Sequence, residues 1–332
     1  MAGTELTEKT EYAERVGKAV NYFLKPRRKD GHKGDFGKTF IIAGSRGMSG
    51  AAVLCARACM HAGCGLTYMV VPGALETAAS AAVPEAVKCP AGDDGTRFFG
   101  PEHIEFVKET CREADAVVLG PGLGRRPETG EFVRALLADA EFAKRAGGII
   151  IDADGLYAVS GNIQRLRELA GKHPGRFVLT PHEGEAARLI LKDAKEIRAD
   201  RKGSAEFIAA ALNGGTALLK GADTLVAASG REIFVNPTGG PGMATGGSGD
   251  VLAGILGAFI SQELAGGYMA EEQDGGRSAV GLFENVAFGA TIHGLSGDIM
   301  ASRYGERYIT ASDIIDGLGE IKKYAEQHPC MG

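Results

Sequence analysis

Two rhythms of apolar and polar positions alternate along the chain. Short, nearly all-apolar runs recur at Thr39–Ala43, Leu66–Val71, Ala116–Leu119, Gly148–Ile151, Phe177–Leu179 and Thr216–Leu219. Each is too short for a helix and reads as a strand buried on both faces. Between them lie stretches with helical spacing. Residues 5–25 place Leu6, Tyr12, Ala13, Val16, Val20 and Phe23 at helical intervals, and Ala51–Ala62, Glu131–Arg145 and Ala205–Leu212 read as further helices. Strand, glycine loop, helix and strand over Thr39–Val71 form a βαβ unit, with parallel pairing and a right-handed crossover. Leu225–Ala228 and Glu232–Val235 flank Ser229-Gly230-Arg231 and read as a hairpin. Helices are expected near 279–302 and 311–325, and Lys33–Lys38 reads as a turn. The class is therefore α/β, a central, mostly parallel sheet flanked by helices on both faces.

Composition narrows the reading. The chain has 332 residues, 44% hydrophobic, enough for one large core, and nothing in it reads as a linker. A single domain over 1–332 is expected. Residues 1–29 form a helical extension, and the polar, glycine-rich stretch 266–278 is a surface insertion. Net charge is −5 with no basic stripe beyond the short run Lys25–Lys33, which argues against nucleic acid as a partner. No apolar run is long enough to span a membrane, and the N-terminus has no signal-peptide core. Six cysteines form no CxxC pair or zinc spacing, and Cys55 and Cys59 read as small core residues. A reduced, cytoplasmic protein is expected.

Candidate chemistry gathers just after the strands, where open parallel sheets bind ligands. The densest stretch is Thr238–Asp250, with six glycines in thirteen residues, leading into apolar residues at helical spacing from Val251 to Ile260. A glycine loop feeding a helix N-terminus offers free N–H groups and the positive end of the helix dipole, which suits phosphate. Asp250 at the junction is placed to take a proton from a hydroxyl attacking phosphorus, although Asp also favours a helix start for its own sake. GSRGMSG at Gly44–Gly50 lacks the Lys-Ser/Thr of a P-loop. GPGLG at Gly120–Gly124 lacks the third glycine of a dinucleotide fingerprint but exposes backbone. In TPHEGE, His182 is a candidate ligand contact, and Glu183 or Glu185 a candidate magnesium ligand or first-turn helix acid. KGADT at Lys220–Thr224 reads equally as a phosphate contact or a turn.

Taken together and in this order, KGDFGK, FIIAGSRGMSGAA, GPGLG, DADGL, LTPHEGEAARL, LKGADTLV, PGMATGGSGDVLAGI and HGLSGD resemble the ADP/ATP-dependent NAD(P)H-hydrate dehydratase family over residues 30–320. The resemblance implies a ribokinase-like fold. It implies dehydration of (6S)-NADHX and (6S)-NADPHX to NADH and NADPH, with ADP or ATP as phosphoryl donor and Mg2+ as cofactor. Carried over by motif, Ala43, Gly122 or Gly124, His182 and Asp250 are the hydrate-binding positions. Lys220, Gly221, Ala222, Asp223 and Thr224 with Gly246, Gly247, Ser248 and Gly249 are the nucleotide-binding positions, and Glu185 is the acid near magnesium. Asp250 is the catalytic base. The resemblance also implies a homotetramer and a separate epimerase, since residues 1–30 are too short to hold that domain. Three departures stand out: Ser248 where Thr is usual, Gly240 where Asn is usual, and the 266–278 insertion. The rival readings are a small-molecule kinase of the same fold, of the thiazole or hydroxymethylpyrimidine type, and a non-catalytic nucleotide sensor.

Overall fold

A computed structural model describes residues 2–266 and 280–328. The 267–278 part of the expected insertion lies outside the described residues. Nine strands form one sheet: β1 Lys38–Ile42, β2 Leu66–Pro72, β3 Val87–Ala91, β4 Ala116–Leu119, β5 Gly148–Ile151, β6 Phe177–Leu179, β7 Thr216–Leu219, β8 Leu225–Ala228 and β9 Phe234–Val235. Their order across the sheet is β3-β2-β1-β4-β5-β6-β7-β8-β9. All pairings from β3 to β7 are parallel. β8 and β9 close the far edge as the expected antiparallel hairpin.

Alternation along each strand feeds two cores. Ile41, Met69, Val118, Ile150, Val178 and Leu218 point to one face, under helices that include Ser49–His61, Ser248–Ala265 and Leu282–Tyr304. Phe40, Ile42, Val117, Ile149, Phe177 and Leu219 point to the other, under Pro127–Ala138, Ala153–Val159 and Arg201–Ala210. Cys55 and Cys59 are buried in the first core. No described helix is long and apolar enough to cross a membrane.

Several elements differ from the sequence reading, each for a local reason. The helix expected over 131–145 starts at Pro127 and breaks at Asp139. The Asp139 carboxylate accepts the N–H groups of Glu141 and Phe142 at 2.9 Å and so starts a second short helix. The DADGL motif after β5 opens a helix: Asp152 flanks the start of Ala153–Val159. The helix expected at 205 begins at Arg201, capped by Asp200. The expected turn at Lys33 is one 3-10 turn over Lys33–Phe36. β3 leaves no fully apolar run because it is mostly half-buried and carries Lys88 and Pro90, which an edge strand tolerates.

The Ser248–Ala265 helix positions the site. It crosses β1, β4 and β5 and packs along the Ser49–His61 helix. Two glycines permit the approach. A Cβ on Gly254 would run into the Cys55 carbonyl, and one on Gly257 would sit 2.8 Å from Val118 and 2.9 Å from Thr39. In an exposed helix, Gly→Ala gains about 1 kcal/mol. Here Gly254→Ala is expected instead to lose about 1–3 kcal/mol through overpacking against a carbonyl that cannot rotate away. A rise in the denaturation midpoint on that substitution would refute this account of the packing.

Candidate active site

Neighbouring parallel strands β5, β6 and β7 bring three sequence-distant loops to one edge of the sheet. Above them lies a cleft of about 1110 Å³. Its floor comes from Asp152 and Ala153 after β5, His182 to Gly184 after β6, and Lys220 to Thr224 after β7. Its roof is the glycine-rich stretch, from Thr238 to Ala244 and Gly247 to Asp250, backed by His293 and Gly294.

Lys220 is the hub of the floor. Its Nζ donates to Asp152 Oδ1 at 2.6 Å and lies 3.8 Å from Glu185 Oε2. Asp152 is 2% exposed at its side chain and also accepts from Thr180 Oγ1 at 2.8 Å. Burial alone would lower the Lys220 ammonium, but Asp152 and Glu185 outweigh it and hold its pKa above the ordinary lysine range. The lysine therefore stays charged at neutral pH. Its backbone N–H donates to Pro181 O at 2.8 Å, which docks KGADT beside TPHEGE.

His182 starts the Glu183–Ile190 helix. Its Nδ1 accepts the N–H groups of Gly184 at 3.0 Å and Glu185 at 3.4 Å, while Glu185 Oε2 accepts the His182 N–H at 2.9 Å. This reciprocal pair is a capping box. With Nδ1 accepting, the ring proton belongs on Nε2, which lies 3.5 Å from Glu185 Oε1. The KGADT turn is braced from outside. Arg201 donates to Glu183 at 2.7 Å and to the Asp223 carbonyl at 3.3 Å, pressed against Gly221, where a Cβ would collide with the guanidinium. Burial would raise the Glu183 carboxyl, but Arg198 and Arg201 hold it below the usual range.

Across the cleft, Gly247 adopts φ +91 at the entry to the Ser248–Ala265 helix, which aims the first-turn N–H groups into the cleft. Asp250 sits in that turn. Burial raises its carboxyl to a pKa of about 6, with Asp152 and Asp154 adding to the rise and Lys220 opposing it. It is thus ionised at neutral pH yet close enough to neutrality to hold an abstracted proton. Burial lowers His293 to about 4, so its ring, 3.4 Å from Ser248 Oγ, is neutral.

HGLSGD shapes the roof. Asp298 accepts the N–H groups of Gly239 at 2.8 Å and Gly240 at 2.7 Å. Gly294 and Gly297 carry no Cβ because Thr238 and Met243 occupy that space. Thr238 Oγ1 donates to Thr291 O at 2.8 Å, and Asn236 Nδ2 to Ala290 O at 3.2 Å. Gly240, with φ −87, is not required by backbone conformation, and a Cβ there would meet Asp298 at an ordinary 3.4 Å.

Of the residues singled out in the sequence, the cleft brings together His182, Lys220 to Thr224 and Gly247 to Asp250. Gly246 is exposed and lies off its wall. Ala43 and Gly122 are buried and line neither cavity, and Gly124 lines a smaller cavity. Glu185 is buried beneath the floor, committed to the His182 cap and to Lys220. Among the described residues no three His, Cys, Asp or Glu side chains converge on a metal position. With Glu185 bonded to the His182 N–H and 3.8 Å from Lys220 Nζ, the residues present do not fit direct magnesium ligation there. Asp152, Arg201, His293 and Asp298 were not singled out. The spacing His182-x-x-Glu185 was a legible capping signal, and Asp152 could have been found as an acid ending an apolar strand, β5, which lies one strand removed from Lys220's β7.

The model of a family described as NAD(P)H-hydrate dehydratase matches residues 39–319. The chain belongs to that family. Within the NAD(P)H-hydrate dehydratases, it is 34% identical to the ADP-dependent (S)-NAD(P)H-hydrate dehydratase of Neisseria meningitidis, over 86% of this chain and 84% of that protein. It is 35% identical to a bifunctional NAD(P)H-hydrate repair enzyme of Moorella thermoacetica, over 91% of this chain but 52% of that protein. The chain thus spans about half the length of several such relatives. In fold it resembles a ribokinase-like superfamily protein of Enterococcus faecalis, with a TM-score of 0.71 and 27% identity over 93% of this chain and 94% of that one.

The raised Asp250 carboxyl has a cost in stability. Its folded pKa of about 6 exceeds the unfolded value of ~3.9, so its contribution is full below about pH 4 and is lost as pH rises through 6. Asp250→Asn is therefore expected to be more stable than the parent at pH 8 by roughly 1–2 kcal/mol, less than the ~3 kcal/mol of two full pKa units. Urea midpoints should converge as pH falls to 4; a gap that does not change with pH would contradict the assignment.

Proposed function

We propose that this chain dehydrates (6S)-NADHX and (6S)-NADPHX to NADH and NADPH, using ADP as phosphoryl donor and releasing AMP and phosphate. The reading rests on one observation: Asp250, a carboxylate raised to about 6, shares a cleft with Lys220 and with the first-turn N–H groups of the helix that bears it. The ADP dependence named for the 34% identical Neisseria relative supports the choice of donor.

Hydroxide is a poor leaving group from C6 of the hydrated ring. Asp250 takes the proton of that hydroxyl as its oxygen attacks the β-phosphorus of ADP, and the bond from that phosphorus to the α–β bridging oxygen breaks to release AMP. N–H groups of Gly247 to Gly249 and the Lys220 ammonium stabilise charge on the transferred group. The ring-nitrogen lone pair then expels phosphate from C6. Loss of a C5 proton to solvent or departing phosphate restores the dihydropyridine. Neutral His293 and the loop clamped by Asp298 keep the roof in place without competing for the proton.

Incubation of the purified chain with NADHX and ADP is expected to restore dihydronicotinamide absorbance with stoichiometric AMP. Absence of recovery with both ADP and ATP would sink the proposal; phosphoryl transfer to a thiazole or hydroxymethylpyrimidine alcohol instead would make it a kinase. Asp250→Asn is expected to bind ADP but lose roughly 10²–10⁴-fold in kcat. An equally inert parent and variant that both bind ADP would favour a sensor. In the parent, kcat/KM is expected to fall about tenfold per pH unit below 6, since the base must be ionised. A flat profile from pH 5 to pH 7 would remove Asp250 from that role.

A further inference from the structure

A second, smaller cavity of about 220 Å³ opens beside Gly124. Its charged wall is Arg125, Arg126, Arg134 and Asp154. Arg125 Nε donates to Asp154 Oδ1 at 2.9 Å and its guanidinium lies over the Tyr157 ring at 4.9 Å. The other Asp154 oxygen accepts the Gly124 N–H at 2.9 Å, so that carboxylate is fully committed. Arg126 lies over Phe98 at 4.7 Å, and among the described residues its one carboxylate partner is Glu128, at 3.5 Å, with both side chains more than half exposed. Arg134 donates to the Ala158 carbonyl at 3.1 Å, and no carboxylate pairs with it among the described residues. The cavity lining thus carries three guanidinium groups and one spent carboxylate, with Glu128 outside it, on a chain whose net charge is −5.

Location gives the cluster its meaning. The cavity lies by the loop after β4, where strand order reverses between β1 and β4. None of its lining is shared with the large cleft. Asp152 and Ala153 line the large cleft and Asp154 lines the small one, so the two spaces adjoin at the start of the Ala153–Val159 helix, and the large cleft holds the proposed base, Asp250. Phosphoryl donor and hydrate must approach that base from different directions. With KGADT and the glycine loop claimed by the donor, a dinucleotide whose ring reaches Asp250 must send its remaining length elsewhere. Guanidinium groups are the side chains best matched to phosphate, through paired N–H donors.

We propose that the Arg125–Arg126–Arg134 cavity is a subsite for a phosphate of the dinucleotide hydrate; this rests on the dehydratase reading above. The phosphate has two possible sources, the bridging pyrophosphate of both hydrates or the 2′-phosphate of NADPHX alone.

The test is steady-state kinetics of the full chain with saturating ADP and each hydrate in turn, comparing parent, Arg126→Gln, Arg134→Gln and Arg134→Lys. The hydrate KM is expected to rise roughly tenfold in both Gln variants, as loss of one charge-assisted hydrogen bond predicts, with kcat and the ADP KM changed less than about twofold. Arg134→Lys should recover most of the loss. An equal rise for both hydrates assigns the bridging pyrophosphate; a rise confined to NADPHX assigns the 2′-phosphate. A merely structural Arg134, holding Ala158, would lower the thermal midpoint without moving KM. Arg126→Gln, at an exposed side chain, carries the test should Arg134→Gln fail to fold. Hydrate KM values within about twofold of the parent overturn this subsite while leaving the dehydratase reading intact. A parent without turnover on either hydrate overturns both.

Discussion

The close approach of one helix to the middle of the sheet governs the geometry of everything above it. Ser248–Ala265 can lie against β1, β4 and the Ser49–His61 helix only because Gly254 and Gly257 present no Cβ there. That contact fixes where the helix begins. Its first turn, with Asp250 and the free N–H groups, therefore stands over the ends of β5 to β7 rather than in solvent. A side chain at either glycine would lift the helix and carry the base away from Lys220. The packing of an apolar helix and the position of a carboxylate are thus one constraint.

The charges on the floor suit Asp250 to the proposed role of base. Lys220 is 2.6 Å from Asp152 and within 4 Å of Glu185, so its ammonium is already spoken for. Had it paired directly with Asp250, the carboxylate would be held low and would surrender any proton at once. Burial does most to raise Asp250, and Asp152 adds its own negative field while drawing the lysine aside. The same ammonium lies at the cleft wall beside Gly249, in the first turn of the helix that bears Asp250.

Much of this was legible in the chain because strands buried on both faces leave an unmistakable apolar run. β4, β5, β6 and β7 begin and end where those runs do. The glycine loop and Lys220 were legible because chemistry follows such strands in parallel sheets. Hydrogen bonds between distant segments were not. Nothing local says that Arg201 braces KGADT, or that Asp298 holds Gly239 and Gly240. Short helices with mixed faces, such as Ala194–Ala199, gave no clear period. Glu185 shows the same limit: an acid in a first turn reads equally as a ligand or a helix acid until its reciprocal bond to the His182 N–H is seen.

The clamp formed by Asp298, Gly294 and Gly297 bears on how portable this chemistry is. The stretch 238–250 looks like a self-contained cassette that could be lifted into another scaffold. Its outline, however, is a cast taken from the Leu282–Tyr304 helix, which supplies both the hollow and the two acceptors that hold it. Grafted alone, the segment would carry Asp250 but lose the curvature that aims it. A designer, or a recombination event, would have to move two segments roughly fifty residues apart as a matched pair.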